Sequence, residues 1–371
     1  MQLSNEDSLR LNVLLNQDLQ AIRIDESKMI VYGLSEKGEA KMELNPTCRD
    51  DRYLKIVRET ISSKVLGSPG GYPVFLRRWT RMGQARDESL GRLLQLGEPE
   101  AVIAVVHASG LTDELARRAW WAMPTADNAR CMLQKPEIVQ GTMGRELADY
   151  LIEFLPFEEE ARDIIESVRL VLQGDLVSAE RRQNLWGRGQ RKNAYLVGFL
   201  IAEPDTLPLE KAPHPRLRDC QAQLSALPDN PVARQLLRLL DAPGQAFLAT
   251  VTTVMKKPGN QDVVIALLNA IHAYFAGMHK LPQKEREIQT ILTQAAEMIE
   301  HESDADVKAV AGAIPQARDM LQAMLVLSAL SEYVVNPVFS RTDAIGTLMR
   351  KKLEPVFAPI NEQISRLTAG A

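Results

Sequence analysis

His272 and His279 stand seven residues apart, two helical turns on one face, with Tyr274 and Met278 nearby. Such a pair would offer two ring nitrogens to a metal or a haem. No carboxylate lies at a spacing that would orient either imidazole, so a hydrogen-bonded or solvated helical pair accounts for them better. The other histidines, His107, His214 and His301, are scattered. The run Glu158-Glu159-Glu160 with Asp163 could do acid–base work only if burial drove its pKa values apart. Directly after Pro156 it reads instead as the solvated first turn of a helix, where the dipole favours anions. Cys48, Cys131 and Cys220 form no C-x-x-C pair, which excludes a zinc knuckle or thioredoxin-like site built from local sequence. They read as three reduced thiols in a reducing compartment. No H-E-x-x-H, G-x-S-x-G or P-loop motif occurs. Gly67-Ser68-Pro69-Gly70-Gly71 lacks the following Lys-Ser/Thr and reads as a linker, and Gly187-Arg188-Gly189 follows no expected strand. No catalytic, cofactor-binding or metal-binding residue is expected, and no small-molecule substrate is evident.

The residues best suited to recognition are basic and aromatic. One stretch holds Arg77, Arg78, Trp79 and Arg81, with Arg86 beyond; another holds Arg181, Arg182, Arg188, Arg191 and Lys192. Brought together, these would bind an anionic surface, RNA or an acidic protein. The plainer alternative is a set of solvated or salt-bridged arginines balancing Asp87, Glu88 and Glu180. Trp120-Trp121 follows Arg117-Arg118. Adjacent helical residues point about 100° apart, so one tryptophan can enter a core while the other stays half-exposed as a protein contact.

These residues need elements to position them, and the composition favours helices. Aromatics are only 5% of 371 residues while Leu, Ala, Glu, Arg and Gln abound, a bias that suits helices over sheets. The net charge is −4, from 44 basic and 48 acidic residues, whereas a general nucleic-acid binder would be basic. The start lacks the basic and apolar regions of a secretory signal, and no run of about 18 apolar residues occurs, so a cytoplasmic protein with no membrane partner is expected. The segment from Met320 to Val335 is too short and too interrupted to span, and reads as a buried core helix.

Residues 1–45 alternate with period two around Ile22-Arg23-Ile24-Asp25 and Lys41-Met42-Glu43-Leu44, with Gly33 and Gly38 bracketing a polar turn. That pattern predicts two or three short antiparallel strands, too few to stand without helices or a partner. A helix is expected over 52–66 and another over 73–82. From 88 to 202, helices of roughly 9 to 17 residues follow one another with short connectors. Examples are 101–108 closed by Gly110, 112–123 capped by Thr112, 125–133, 142–155, 157–173, 175–186 and 190–202. Pro204, Pro208, Pro213 and Pro215 mark the expected domain boundary. Longer helices follow, the last at 283–301, 315–335, 341–353 and 355–368. The expected fold is mostly α: a degenerate, HEAT-like stack of helical hairpins continuing into a C-terminal helical bundle, with a small N-terminal antiparallel β element. The expected divisions are 1–66, 72–204 and 216–371.

Three segments carry a family resemblance: Arg77-Arg78-Trp79-Thr80-Arg81-Met82-Gly83-Gln84, Leu93-Leu94-Gln95-Leu96-Gly97-Glu98-Pro99-Glu100-Ala101-Val102, and Arg117-Arg118-Ala119-Trp120-Trp121-Ala122-Met123-Pro124. They resemble DsrS, soluble proteins encoded with the dissimilatory sulfite reductase system of sulfur-oxidising bacteria. The likeness is densest over 73–158. It implies a cytoplasmic accessory or regulatory factor of sulfur oxidation, not one of its redox enzymes, and supplies no catalytic residues. The expected function is therefore non-catalytic binding of another cytoplasmic protein of that system. Two alternatives stand beside it: an RNA-binding regulator using the arginine-rich stretches, and a thiol-dependent sulfur-handling protein using Cys131 or Cys48.

Overall fold

A computed structural model describes residues 3–67, 87–282, 284–285, 287–341 and 345–368, giving the backbone only at 87–89. The fold is mostly α, with a small antiparallel sheet near the N-terminus. It forms two compact units, Met1–Phe154 and Leu155–Ala371. None of its helices, among the described residues, is long and apolar enough to cross a membrane.

The first unit opens with α1 (Asn5–Leu15), capped by Ser4, whose hydroxyl accepts from the Asp7 amide. Sequence pattern misses this helix because the first position of its buried stripe, Asp7–Leu11–Leu14, is a carboxylic acid, while Leu9 and Val13 face outward. Asp7 is fully buried and accepts from the Asn45 amide at 2.7 Å, from Asn45 Nδ2 at 3.1 Å and from the Tyr53 hydroxyl at 2.5 Å. A buried acid is tolerable because it is bonded this fully.

Strands β1 (Leu19–Asp25), β2 (Ile30–Ser35) and β3 (Gly38–Glu43) form a sheet of order β1-β2-β3, with Arg23 opposite Tyr32 and Tyr32 opposite Lys41. Gly38 takes the left-handed turn position at φ 114°, but Gly33 lies inside β2 opposite Ile22 and Ala40, so only one of the two glycines belongs to the turn. Helix α2 (Asp50–Leu66) ends on left-handed Gly67 and joins α1 and the sheet around Leu11, Ile22, Val31, Tyr53, Val57 and Ile61. Next come α3 (Asp87–Leu94), α4 (Pro99–His107), α5 (Asp113–Ala122), α6 (Ala126–Leu133), α7 (Pro136–Gln140) and α8 (Met143–Phe154). Helices α3 and α5 pack against β1, which explains why both Ala21 and Ile22 are buried on that strand. Gly110 has no left-handed conformation; α4 instead stops where Ala108 turns extended.

The second unit holds α9 (Ala161–Val171), α10 (Ala179–Gly189), α11 (Ala194–Ala202), α12 (Leu217–Leu224), α13 (Pro231–Leu240) and α14 (Ala242–Lys256). It continues with α15 (Gln261–Tyr274), α16 (Ile288–His301), α17 (Ala305–Ala313), α18 (Arg318–Ala329), the single turn α19 (Asn336–Phe339) and α20 (Gly346–Leu367). Helix α11 is apolar all round, the mark of a central helix, and α9, α10, α14 and α15 pack on it. Helix α18 is buried over Met320–Leu321 and Ala323–Ala329 and takes α16 and α20. The main pairings join helices two apart along the chain, α9 with α11, α16 with α18 and α18 with α20.

Several expected boundaries shift. Glu158, Glu159 and Glu160 precede α9 instead of forming its first turn, and α10 runs through Gly187 to Gly189. Helix α20 continues through Pro355 and Pro359 where a break was expected. The two prolines are four residues apart on the solvent side, so carbonyls left without donors reach water while Met349, Leu353, Val356 and Ile360 stay packed. The proline-rich stretch 203–215 runs inside the second unit and is stitched down. Asp205 holds Arg238 at 2.6 Å, and the His214 amide donates to Leu240 O at 2.7 Å.

Gly198 lets α11 approach α9: a Cβ there would stand 2.7 Å from Val168 Cβ and 3.0 Å from Ile165 O. Alanine gains about 0.5–1 kcal/mol of helix propensity, but overpacking costs about 1–3 kcal/mol, so crowding prevails. Gly198→Ala is expected to lower the urea unfolding midpoint; a raised midpoint would contradict the close approach.

Candidate functional site

The clearest constellation of half-exposed aromatic and charged groups gathers where the C-terminal end of α5 meets the outer face of β1 and β2. Helix α5 begins with the Thr112 hydroxyl accepting from the Leu115 amide at 3.3 Å. Asp113 accepts from the Thr142 amide (3.0 Å), the Thr142 hydroxyl (2.5 Å) and the Met143 amide (3.1 Å), tying this end to the start of α8. Burial pushes the Asp113 carboxyl up, but those bonds outweigh it and hold the group below its ordinary range. The next residue, Glu114, bonds both Arg117 and Arg118, one turn on, at 2.7 Å. The bond from Arg117, against the opposing effect of burial and with help from Arg118, lowers the Glu114 carboxyl to about 2. Arg117 also reaches Gln20 Oε1 on β1 at 2.9 Å.

Trp120 is buried and meets Tyr150 edge-on, ring centroids 4.8 Å apart. Trp121 stays half-exposed, as the helical rotation between neighbours requires, and its indole N–H donates to Glu39 Oε2 at 2.9 Å. The Arg23 guanidinium lies 4.9 Å from the Trp121 ring centroid and 4.6 Å from that of Tyr32. It donates to the Trp121 carbonyl at 3.3 Å and pairs with Glu39 at 3.4 Å. The result is a preset plate of Tyr, Arg and Trp, the side chains that dominate protein-contact energetics.

Beside this plate runs a groove of about 440 Å³. Ile22, Ile24, Val102, Met123 and Pro124 supply its apolar lining, and Arg23, Asp25, Lys28 and Glu98 its charges. Gly97 is left-handed at φ 68°, and a Cβ there would meet Ile22 and Ile24 at 3.1 Å, so its lack of a side chain lets the chain pass close to β1. Glu98 faces Arg58 of α2 at 3.3 Å. Burial raises the Glu98 carboxyl above its ordinary range despite the pull of Arg58, and Glu100 and Glu26 add to the rise. Hollows near Gln95 and Arg118, about 540 and 460 Å³, are lined mainly by polar side chains and hold no aromatic anchor.

Among the sequence-predicted residues, Trp120 and Trp121 belong to this constellation, while Arg77, Arg78, Trp79 and Arg81 lie outside the described residues. Arg181, Arg182, Arg188 and Arg191 belong to the second unit. Arg182 is committed internally: it pairs with Glu203 at 2.6 Å, donates to Thr206 O and lies 5.7 Å from the Phe199 ring. Arg181, Arg188 and Arg191 are exposed, and Lys192 donates to Glu158 O at 2.9 Å. His272 and His279 stack at 4.0 Å, with ring nitrogens bonded to Ser328 O and His272 O. Among the described residues no group of three or more His, Cys, Asp or Glu could hold a metal ion. Sequence reasoning missed Arg23, Tyr32 and Glu39; the one local signal was a charged Arg23 between two isoleucines, marking an outward-facing strand position. Comparison of the chain with protein-family models, curated proteins and solved structures finds no match.

The sign of the Glu98 shift gives a test. Its folded-state pKa lies above the ordinary value of 4.5, so the protonated form is the one folding favours. The group therefore costs no stability below about pH 4.5 and an increasing amount as pH rises through its folded pKa. Glu98→Gln is expected to match the parent at low pH and to be the more stable at pH 7 in urea titrations. A less stable variant at pH 7 would mean that Arg58 attraction outweighs burial.

Proposed function

We propose that the chain is a non-catalytic cytoplasmic accessory or regulatory protein that acts by binding another protein. The partner proposed is a protein of the dissimilatory sulfur-oxidation system, a reading supported by the resemblance of the three quoted segments to DsrS. The observation that carries the binding reading is the Tyr32–Arg23–Trp121 plate beside an apolar groove with a charged edge. Its side chains are held before any partner arrives, which lowers the ordering cost of association. A mixed lining of Asp25 and Glu98 with Arg23 and Lys28 suits a polypeptide better than a phosphate backbone, which needs uniformly positive charge. Two of the three DsrS-like segments contribute to it: Gly97, Glu98, Pro99 and Val102 from one, Trp121 to Pro124 from another. The RNA reading is weaker because Arg182 is tied to Glu203 and Thr206.

The test is affinity capture from sulfur-grown native host cells with the parent chain and with Trp121→Ala. The parent is expected to return a reproducible protein partner. Loss of an anchor costing about 2 kcal/mol is expected to weaken capture by roughly 30-fold. No partner, or undiminished capture by a folded Trp121→Ala, would contradict the proposal.

A further inference from the structure

Away from the groove, the first unit brings a thiol and an imidazole together from two different helices. Cys131, in the last turn of α6, places Sγ 3.4 Å from Nδ1 of His107, the final residue of α4. Sγ also lies 3.8 Å from Val106 O. Lys135, four residues beyond the cysteine, donates from Nζ to Ala108 O, pinning the exit of α4 so that His107 keeps its place. Cys131 is half-buried and His107 exposed, so small molecules reach the pair; Cys48 is also half-buried but makes no such contact with a ring nitrogen among the described residues, and Cys220 is buried.

We propose that Cys131 and His107 form a reactive thiol–imidazole pair, a modification site whose reaction is exchange with small disulfides. The Cys131 S–H proton passes to His107 Nδ1 as sulfur attacks one sulfur of a disulfide RSSR. The S–S bond of RSSR breaks, a new S–S bond joins Cys131 to one RS group, and the other RS leaves as thiolate and takes up the proton. Cys131 is oxidised and one RS sulfur is reduced, so the step needs no further reagent. Burial raises the Cys131 thiol, and Lys135 pulls it back only in part, so the resting group is a thiol and the base matters. Burial in turn lowers the Lys135 ammonium, with Cys131 and Glu137 opposing that shift. This chemistry is independent of the groove and survives if the binding proposal fails.

The test treats the native full-length chain with glutathione disulfide across pH 6 to 10 and reads each cysteine by peptide mass spectrometry. Cys131 is expected to react at least about tenfold faster than Cys48 at pH 7, a threshold set below the roughly 10²-fold that a positioned base supplies at the least. Its rate should change little between pH 7 and 8, where an unassisted thiol would gain about tenfold. His107→Gln should remove that advantage at pH 7 and leave little difference near pH 10, with Cys48 unchanged as an internal control. A Cys131 rate no greater than that of Cys48, or one climbing in proportion to hydroxide in the parent chain, would overturn the proposal whether or not the variant folds. So would an unchanged rate and pH profile in His107→Gln.

Discussion

Burial of Trp120 is the constraint on which the surface of the first unit depends. Covering an aromatic side chain removes about 150–250 Å² from water, on the order of 4–6 kcal/mol as an upper bound. The side-chain contacts of Trp121, one hydrogen bond and one cation–π stack, are worth about 1–2 kcal/mol together. Trp120 therefore decides the rotation of α5, and Trp121 follows about 100° round, over β1 and β2. The bonds of Asp113 tie the start of α5 to the start of α8, and Arg117, steadied by Glu114 within the helix, reaches Gln20 on β1. Arg23 then takes the gap between the Tyr32 and Trp121 rings, and Glu39 closes the arrangement from β3. Rigidity at the plate is inherited from the core beneath it.

The parts legible in sequence were those set by local chemistry. Thr112 as a cap, the acidic first turn after it, the helix expected over 52–66 and found over Asp50–Leu66 before Gly67, and the split roles of Trp120 and Trp121 follow from residue type and spacing. What was not legible depends on partners far along the chain. Helix α1 hides because Asp7 sits in its buried stripe and is made tolerable by Asn45 and Tyr53, 38 and 46 residues away. Pro355 signals a break only if its carbonyl partners lie in a dry interior, and here they face solvent. Arg182 looks like a free basic residue until Glu203 and Thr206 are folded back on it.

The candidate site shows the same division. Trp121 could be named from its own helix, whereas Arg23, Tyr32 and Glu39 become neighbours only through the register that sets Arg23 opposite Tyr32 and through the docking of α5 on β1. His107 and Cys131, 24 residues apart, meet only because α4 and α6 pack together. Elements with ordinary helical patterning thus leave two chemically distinct surfaces on one unit, one suited to a polypeptide and one to a sulfur electrophile.

The central claim, that the plate and its groove meet another protein, is tested most directly by photo-crosslinking in sulfur-grown native host cells. A photoreactive phenylalanine derivative is placed at Tyr32 in one strain and at exposed Glu297 of α16 in another. The account predicts one discrete protein adduct from position 32 and none of that mass from position 297. No adduct at position 32, or the same adducts from both, would contradict it.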